Sequence, residues 1–316
     1  MTTRAAKIRT IVGGLTASII IPAIPVSIWW YNAQEEREQH AESVRTKVRI
    51  PGVQTTDDRL IENIKPGDVI VFDRRCEMCT SGPLSFLNCL LSKRYLCYPN
   101  NGTSASIIEG SSFDHVAVVV PGYSQEIYSD SSDLLLLEAT ASGIVAHPIL
   151  TRLEMSRSRT VLLLPLCAPG ELRRRDFNLT REVDDHPTAA NWNEEEKIQQ
   201  VKAHVRKQLI KFRDANLRIS QKYNYQNYHS LIGLSGCICY ALGLSDKSPS
   251  PANPSAWLVV SALQSAGVAM HVDGRSELDA KPEDFLRDYR FHEKNSIRLR
   301  PGFKFLHPIA LRETSR

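Results

Sequence analysis

The chain has 316 residues, of which 42% are hydrophobic and 23% charged, the composition of an ordinary globular protein with room for one large domain or two small ones. Its 39 basic and 35 acidic residues leave a formal charge of +4 and are spread along the sequence without a block that would track phosphates, so nucleic acid is not an expected partner. Seven cysteines are too few for a disulfide-built miniprotein, and disorder, collagen and a pure coiled coil are excluded.

After a short segment, 1–10, no charged residue occurs from Thr10 to Gln34. Ile11 to Trp30 alone spans roughly 30 Å as a helix, the thickness of a bilayer core, so a single transmembrane helix is expected over 11–31. Pro22 and Pro25 are tolerated in such helices, and Trp29, Trp30 and Tyr31 sit where an aromatic belt belongs. A cleaved signal or transit peptide is the alternative. Arg4, Lys7 and Arg9 precede the stretch and Glu35, Glu36 and Glu38 follow it, so the positive-inside rule puts the N-terminus inside and the rest on the far side. A basic leader without acids fits a mitochondrial inner-membrane protein whose globular part faces the intermembrane space, with a secretory-pathway membrane as the alternative. The sequons at Asn101 and Asn178 do not decide between these, because chance supplies about one or two such tripeptides. The expected partners are the lipid bilayer and other subunits of a membrane complex.

A polar stalk is expected over 32–62, helical from Glu35 to Lys47 and ended by Pro51-Gly52. The globular domain then runs over 63–316. Lys65-Pro66-Gly67-Asp68 reads as a turn and Val69 to Phe72 as a short buried strand. Cys76, Cys79, Cys89 and Cys97 follow, four thiols within 22 residues that suit either an all-thiolate zinc site or two disulfides, with free buried thiols as the plain alternative. Further strands are expected at His115–Val120, Leu134–Glu138, Ile144–Val145 and Val161–Leu164. A charged and helical insertion occupies about 166–221, where Ile198, Val201, Val205, Leu209 and Phe212 recur at helical steps and leave basic and amide residues on the wet face. Cys237 and Cys239 lie in an apolar stretch and read as small hydrophobes. The proline-rich loop from Ser248 leads into a last helix, Ser255 to Ala266, closed by Gly267.

Pro66-Gly67-Asp68-Val69-Ile70, Asp114-His115-Val116-Ala117-Val118, Leu137-Glu138-Ala139 with Gly143-Ile144-Val145, and Ser255-Ala256-Trp257-Leu258-Val259 with a glycine twelve positions on resemble, in order and spacing, the motifs of the circularly permuted NlpC/P60 group. That resemblance covers roughly 63–165 and 222–290. It implies an α+β, permuted papain-like fold behind the membrane helix, with His115 as the base, Glu138 as the group that orients it, and Ser255 where the group has its catalytic cysteine.

A thiolate at a helix N-terminus is favoured by unpaired amides and the helix dipole, whereas a hydroxyl is far harder to ionise. Ser255, and Trp257 where the group usually has a small or polar residue, therefore imply a vestigial site in a pseudoenzyme: a membrane-anchored structural or binding subunit with no certain cofactor and zinc as the one candidate. In that case Ser255→Ala leaves stability unchanged. The alternative is an amidase, thioesterase or acyltransferase of the permuted class that uses Ser255 and His115.

Overall fold

The computed structural model describes residues 25, 27–36, 38–39, 42, 63–76, 113–123, 133–140, 143–156, 158–171, 189–223, 239, 244, 251, 253–272, 277–286 and 297–313. Its centre is a six-stranded sheet of β1 (Val69–Asp73), β2 (His115–Pro121), β3 (Leu134–Thr140), β4 (Gly143–Pro148), β5 (Thr160–Leu164) and β10 (Ile309–Glu313), in the order β10-β5-β1-β2-β3-β4. Every paired neighbour in it is antiparallel. The short strands β6 (Leu166–Cys167) and β9 (Lys304–Phe305) pair with each other, as do β7 (Ala269–Val272) and β8 (Ile297–Leu299). Helices α1 (Ile149–Glu154), α2 (Ala189–Tyr223) and α3 (Pro254–Ser265) accompany them.

Side chains alternate between the two faces of a strand, and here both faces are buried. Val69, Val71, Val116, Val118 and Val120 point to the face covered by α2 and α3, with Val205, Leu209, Leu258 and Leu263. Ile70, Phe72, Ala117, Val119 and Leu136 point to the opposite face, with Ile149 of α1. Burial on both sides explains why β1 and β2 are unbroken apolar runs rather than alternating ones.

The turn entering β1 sets its register. Gly67 has φ +95°, which a side chain rarely adopts, and a Cβ there would lie 2.8 Å from Leu166 Cδ2. Asp68, fully buried, accepts from the Lys65 N–H at 2.9 Å and from the Leu166 N–H at 2.8 Å, tying the turn to the start of β6. Along α2, about 50 Å at the helical rise, the apolar stripe meets the sheet as the periodicity predicts. Buried Arg213 anchors it by donating to the carbonyl oxygens of Pro121 and Gly122, with its guanidinium 4.4 Å from the Tyr123 ring centre.

The expected fold class, a permuted papain-like fold behind a membrane helix, is corrected to a mixed α/β architecture with no membrane-spanning helix among the described residues. Among the described residues no helix is long and apolar enough to cross a membrane. Most of the 11–31 stretch lies outside the described residues. Its described end, from Ser27, belongs to a helical run that continues through Asn32, Gln34, Glu35 and Glu36, and so becomes polar within about one turn. There Trp30 Nε1 donates to Gln34 at 3.1 Å and Gln34 to Glu38 at 3.2 Å on an exposed surface, the polar i,i+4 pairing of a solvated helix. The lipid partner, the membrane complex, the single-pass assignment and the mitochondrial inner-membrane or secretory localisation all rested on that span and go with it.

Candidate functional site

His115 opens β2 opposite Phe72 of β1, and Glu138 lies in β3. His115 Nε2 and Glu138 Oε2 are 2.8 Å apart. Arg152, from α1, donates to Glu138 Oε1 at 2.6 Å and to Oε2 at 3.0 Å, and its guanidinium lies 4.9 Å from the Phe72 ring centre. These groups form one chain on the Phe72 face of the sheet.

Electrostatics fixes their charge states. Burial alone would raise the Glu138 pKa, but the Arg152 charge and the hydrogen bonds from His115 and Arg152 hold it well below the carboxylate range. His115 is pushed below the usual imidazole value, chiefly by burial and then by the charge of Arg74, against the opposing pull of Glu138. A neutral ring beside an ionised carboxylate must carry its proton on Nε2, so Glu138 also selects the tautomer.

Ser255 belongs to a second network. Asn253 caps α3: its Oδ1 accepts from the Ala256 N–H at 3.0 Å, with Pro254 at the first helical position. The Ser255 hydroxyl donates to the same Oδ1 at 2.6 Å and accepts from the Val116 N–H at 3.2 Å. That N–H is available because the β2–β3 register begins at Val118↔Leu137, two residues further on. Asn253 Nδ2 donates to the Asp114 carbonyl at 3.0 Å, and the Asp114 carboxylate accepts from the Arg74 N–H and Nε, each at 2.8 Å. This network pins the start of α3 to the start of β2.

The structure thus joins His115 to Glu138 and leaves Ser255 apart from both. Among the described residues no hydrogen bond links Ser255 to His115. The imidazole is on the Phe72 side of the sheet, whereas Ser255 starts a helix packed on the Val71 and Val116 side. The central groups of both networks are buried, His115 and Ser255 at 3% exposed and Glu138 at 1%, while Arg152 and Arg74 reach partly into solvent. Because the Ser255 oxygen is the partner of a buried backbone N–H, Ser255→Ala is expected to destabilise rather than to be neutral.

Of the four clustered cysteines, Cys76 is disulfide-bonded; Cys79, Cys89 and Cys97 lie outside the described residues. Cys167 and Cys239 are free thiols. Among the described residues no group of three or more His, Cys, Asp or Glu is placed to hold a metal ion.

Sequence reasoning missed Arg152 and Asn253. Asn253 had a signal, since an asparagine before a proline is a helix-start pattern. Arg152 had none beyond following β4 closely, and only the packing of α1 brings its guanidinium to Glu138. Compared with protein families, with curated proteins and with solved structures, the chain has no match.

Proposed function

We propose that both polar networks are structural and that this protein works by binding rather than by nucleophilic catalysis. The likeness of its motifs to the permuted NlpC/P60 group is part of that proposal, with Ser255 standing where the group has its cysteine. One observation carries the reading: the Ser255 hydroxyl donates its hydrogen bond to the Asn253 amide oxygen, a group far too weak a base to activate it, instead of to an imidazole. The capped first turn supports it, since Asn253 occupies an amide that would otherwise stabilise an anion there.

The test is labelling of wild type, Ser255→Ala and His115→Ala with a fluorophosphonate, and of Ser255→Cys with a thiol-directed electrophile after unfolding and without it. We expect no fluorophosphonate label on the native protein and a folded Ser255→Cys thiol that reacts more slowly than the unfolded one, because no imidazole activates it. Wild-type labelling abolished by both alanine substitutions would overturn the proposal in favour of a serine hydrolase.

A further inference from the structure

At the other end of β1, away from Ser255, a cavity of about 350 Å³ opens between the Lys65-Pro66 turn and α2. It falls at the small end of the range for sites that hold small organic molecules. Lys65, Lys202, Arg206 and Glu171 supply its charges. Glu171 bridges the two lysines, at 2.9 Å from Lys65 Nζ and 2.7 Å from Lys202 Nζ, and its second oxygen accepts from the Ala168 N–H at 3.0 Å. Burial would raise the Glu171 pKa, but these donors hold it down to about 2, so the carboxylate is spent within the wall. Three cations against one anion leave a surplus of two positive charges, and Arg206, half-buried, has no ion-pair partner among the described residues. The rest of the wall is largely apolar: Leu166 and Val205 are buried in the core, and Phe303 packs against it.

We propose that this cavity binds a small amphipathic anion, its carboxylate- or phosphate-type head on the Arg206 fork beside the lysines and its apolar body against Leu166, Val205 and Phe303. A guanidinium matches such heads with two parallel N–H donors, and partial burial strengthens the pairing. Glu171 takes up the near ends of both lysines, leaving Arg206 as the open donor. The inference goes beyond the binding role argued above and is independent of it, because it shares no residue with the Ser255 or His115 networks.

Calorimetric titration of the full chain with octanoate, acetate, octanol and inorganic phosphate at fixed ionic strength tests it. Each buried methylene is worth roughly a factor of four. Octanoate should therefore bind saturably and at least about tenfold more tightly than acetate, and octanol should bind more weakly than octanoate. Arg206→Gln should weaken octanoate about tenfold or more, while exposed Lys207→Gln, outside the cavity, should not. Arg206→Lys keeps the charge without the fork and should also weaken binding, which keeps the test decisive if Arg206→Gln unfolds. Overturning results are no saturable octanoate binding at millimolar concentration, acetate, phosphate or octanol binding as tightly as octanoate, or an unchanged affinity in the folded Arg206 variants.

Discussion

Replacing Arg152 with methionine keeps the apolar stem and removes the guanidinium that neutralises Glu138. Glu138 is 1% exposed, so the substitution strands a carboxylate out of reach of water with only His115 as a partner. Breaking a buried ion pair by removing one member typically costs about 3–5 kcal/mol. A second route gives a similar figure. A carboxyl that cannot stay charged takes up a proton, and from its ordinary value of 4.5 to pH 7 that uptake costs about 3.4 kcal/mol, at about 1.36 kcal/mol per pH unit. The sign of the pH dependence follows. In wild type the Glu138 pKa is depressed, so its contribution is fully present above the unfolded value of 4.5 and constant between pH 8 and 5. In Arg152→Met burial is opposed by His115 alone, so the pKa should rise, and the penalty should be largest at high pH and shrink as pH falls toward 4.5.

Urea unfolding followed by circular dichroism at pH 8, 7, 6 and 5 should therefore give a deficit of about 3 kcal/mol at pH 7 that declines toward pH 5. Adding Glu138→Gln to Arg152→Met should recover part of the deficit at pH 8, since no charge is then stranded. A deficit below about 1 kcal/mol at pH 7, or one equal at pH 5 and 8, would refute the argument that the pair is a desolvated charge couple.

Ser255→Ala should destabilise by about 1–3 kcal/mol in the same unfolding assay, because the buried Val116 N–H loses its acceptor. Asn253→Ala should cost at least as much, since it removes a helix cap and the bond to Asp114 together; a neutral result for either would show that the network is not holding α3 to β2. Gly67→Ala should lower stability by more than about 1 kcal/mol through its positive φ and its contact with Leu166, and an unchanged unfolding midpoint would contradict the turn geometry. Alkylation under denaturing conditions without reductant should modify Cys167 and Cys239 and leave Cys76 unmodified until a reductant is added, as mass spectrometry of the peptides would show. Because the Glu171 pKa is depressed to about 2, its contribution is present above the unfolded value of 4.5 and lost between 4.5 and 2. The stability gap between wild type and Glu171→Gln should accordingly close as pH falls through that window.

The apolar runs at Val69, His115, Leu134 and Val161 were enough to locate the main strands, because a strand buried on both faces must be apolar throughout. The stripe from Ile198 to Phe212 was likewise enough to locate α2. The same continuity concealed which way His115 points: where valine and alanine fill both faces, no alternation in the sequence says which side chains meet a given helix. Only the register Phe72↔His115 and the packing of α3 on the other face decided that the imidazole goes to Glu138 and Arg152 rather than to Ser255. The 11–31 stretch was read from its lack of charge, and hydropathy alone takes no account of the polar pairing that Trp30, Gln34 and Glu38 make along their helix. The helix start at Asn253-Pro254 was determined locally, since capping involves groups within one turn. The contact of Ser255 with Val116, the partners of Glu138 and the cavity that Arg206 lines depend on how distant elements are brought together. That is the work of burying both faces of one sheet, and neighbouring residues do not encode it.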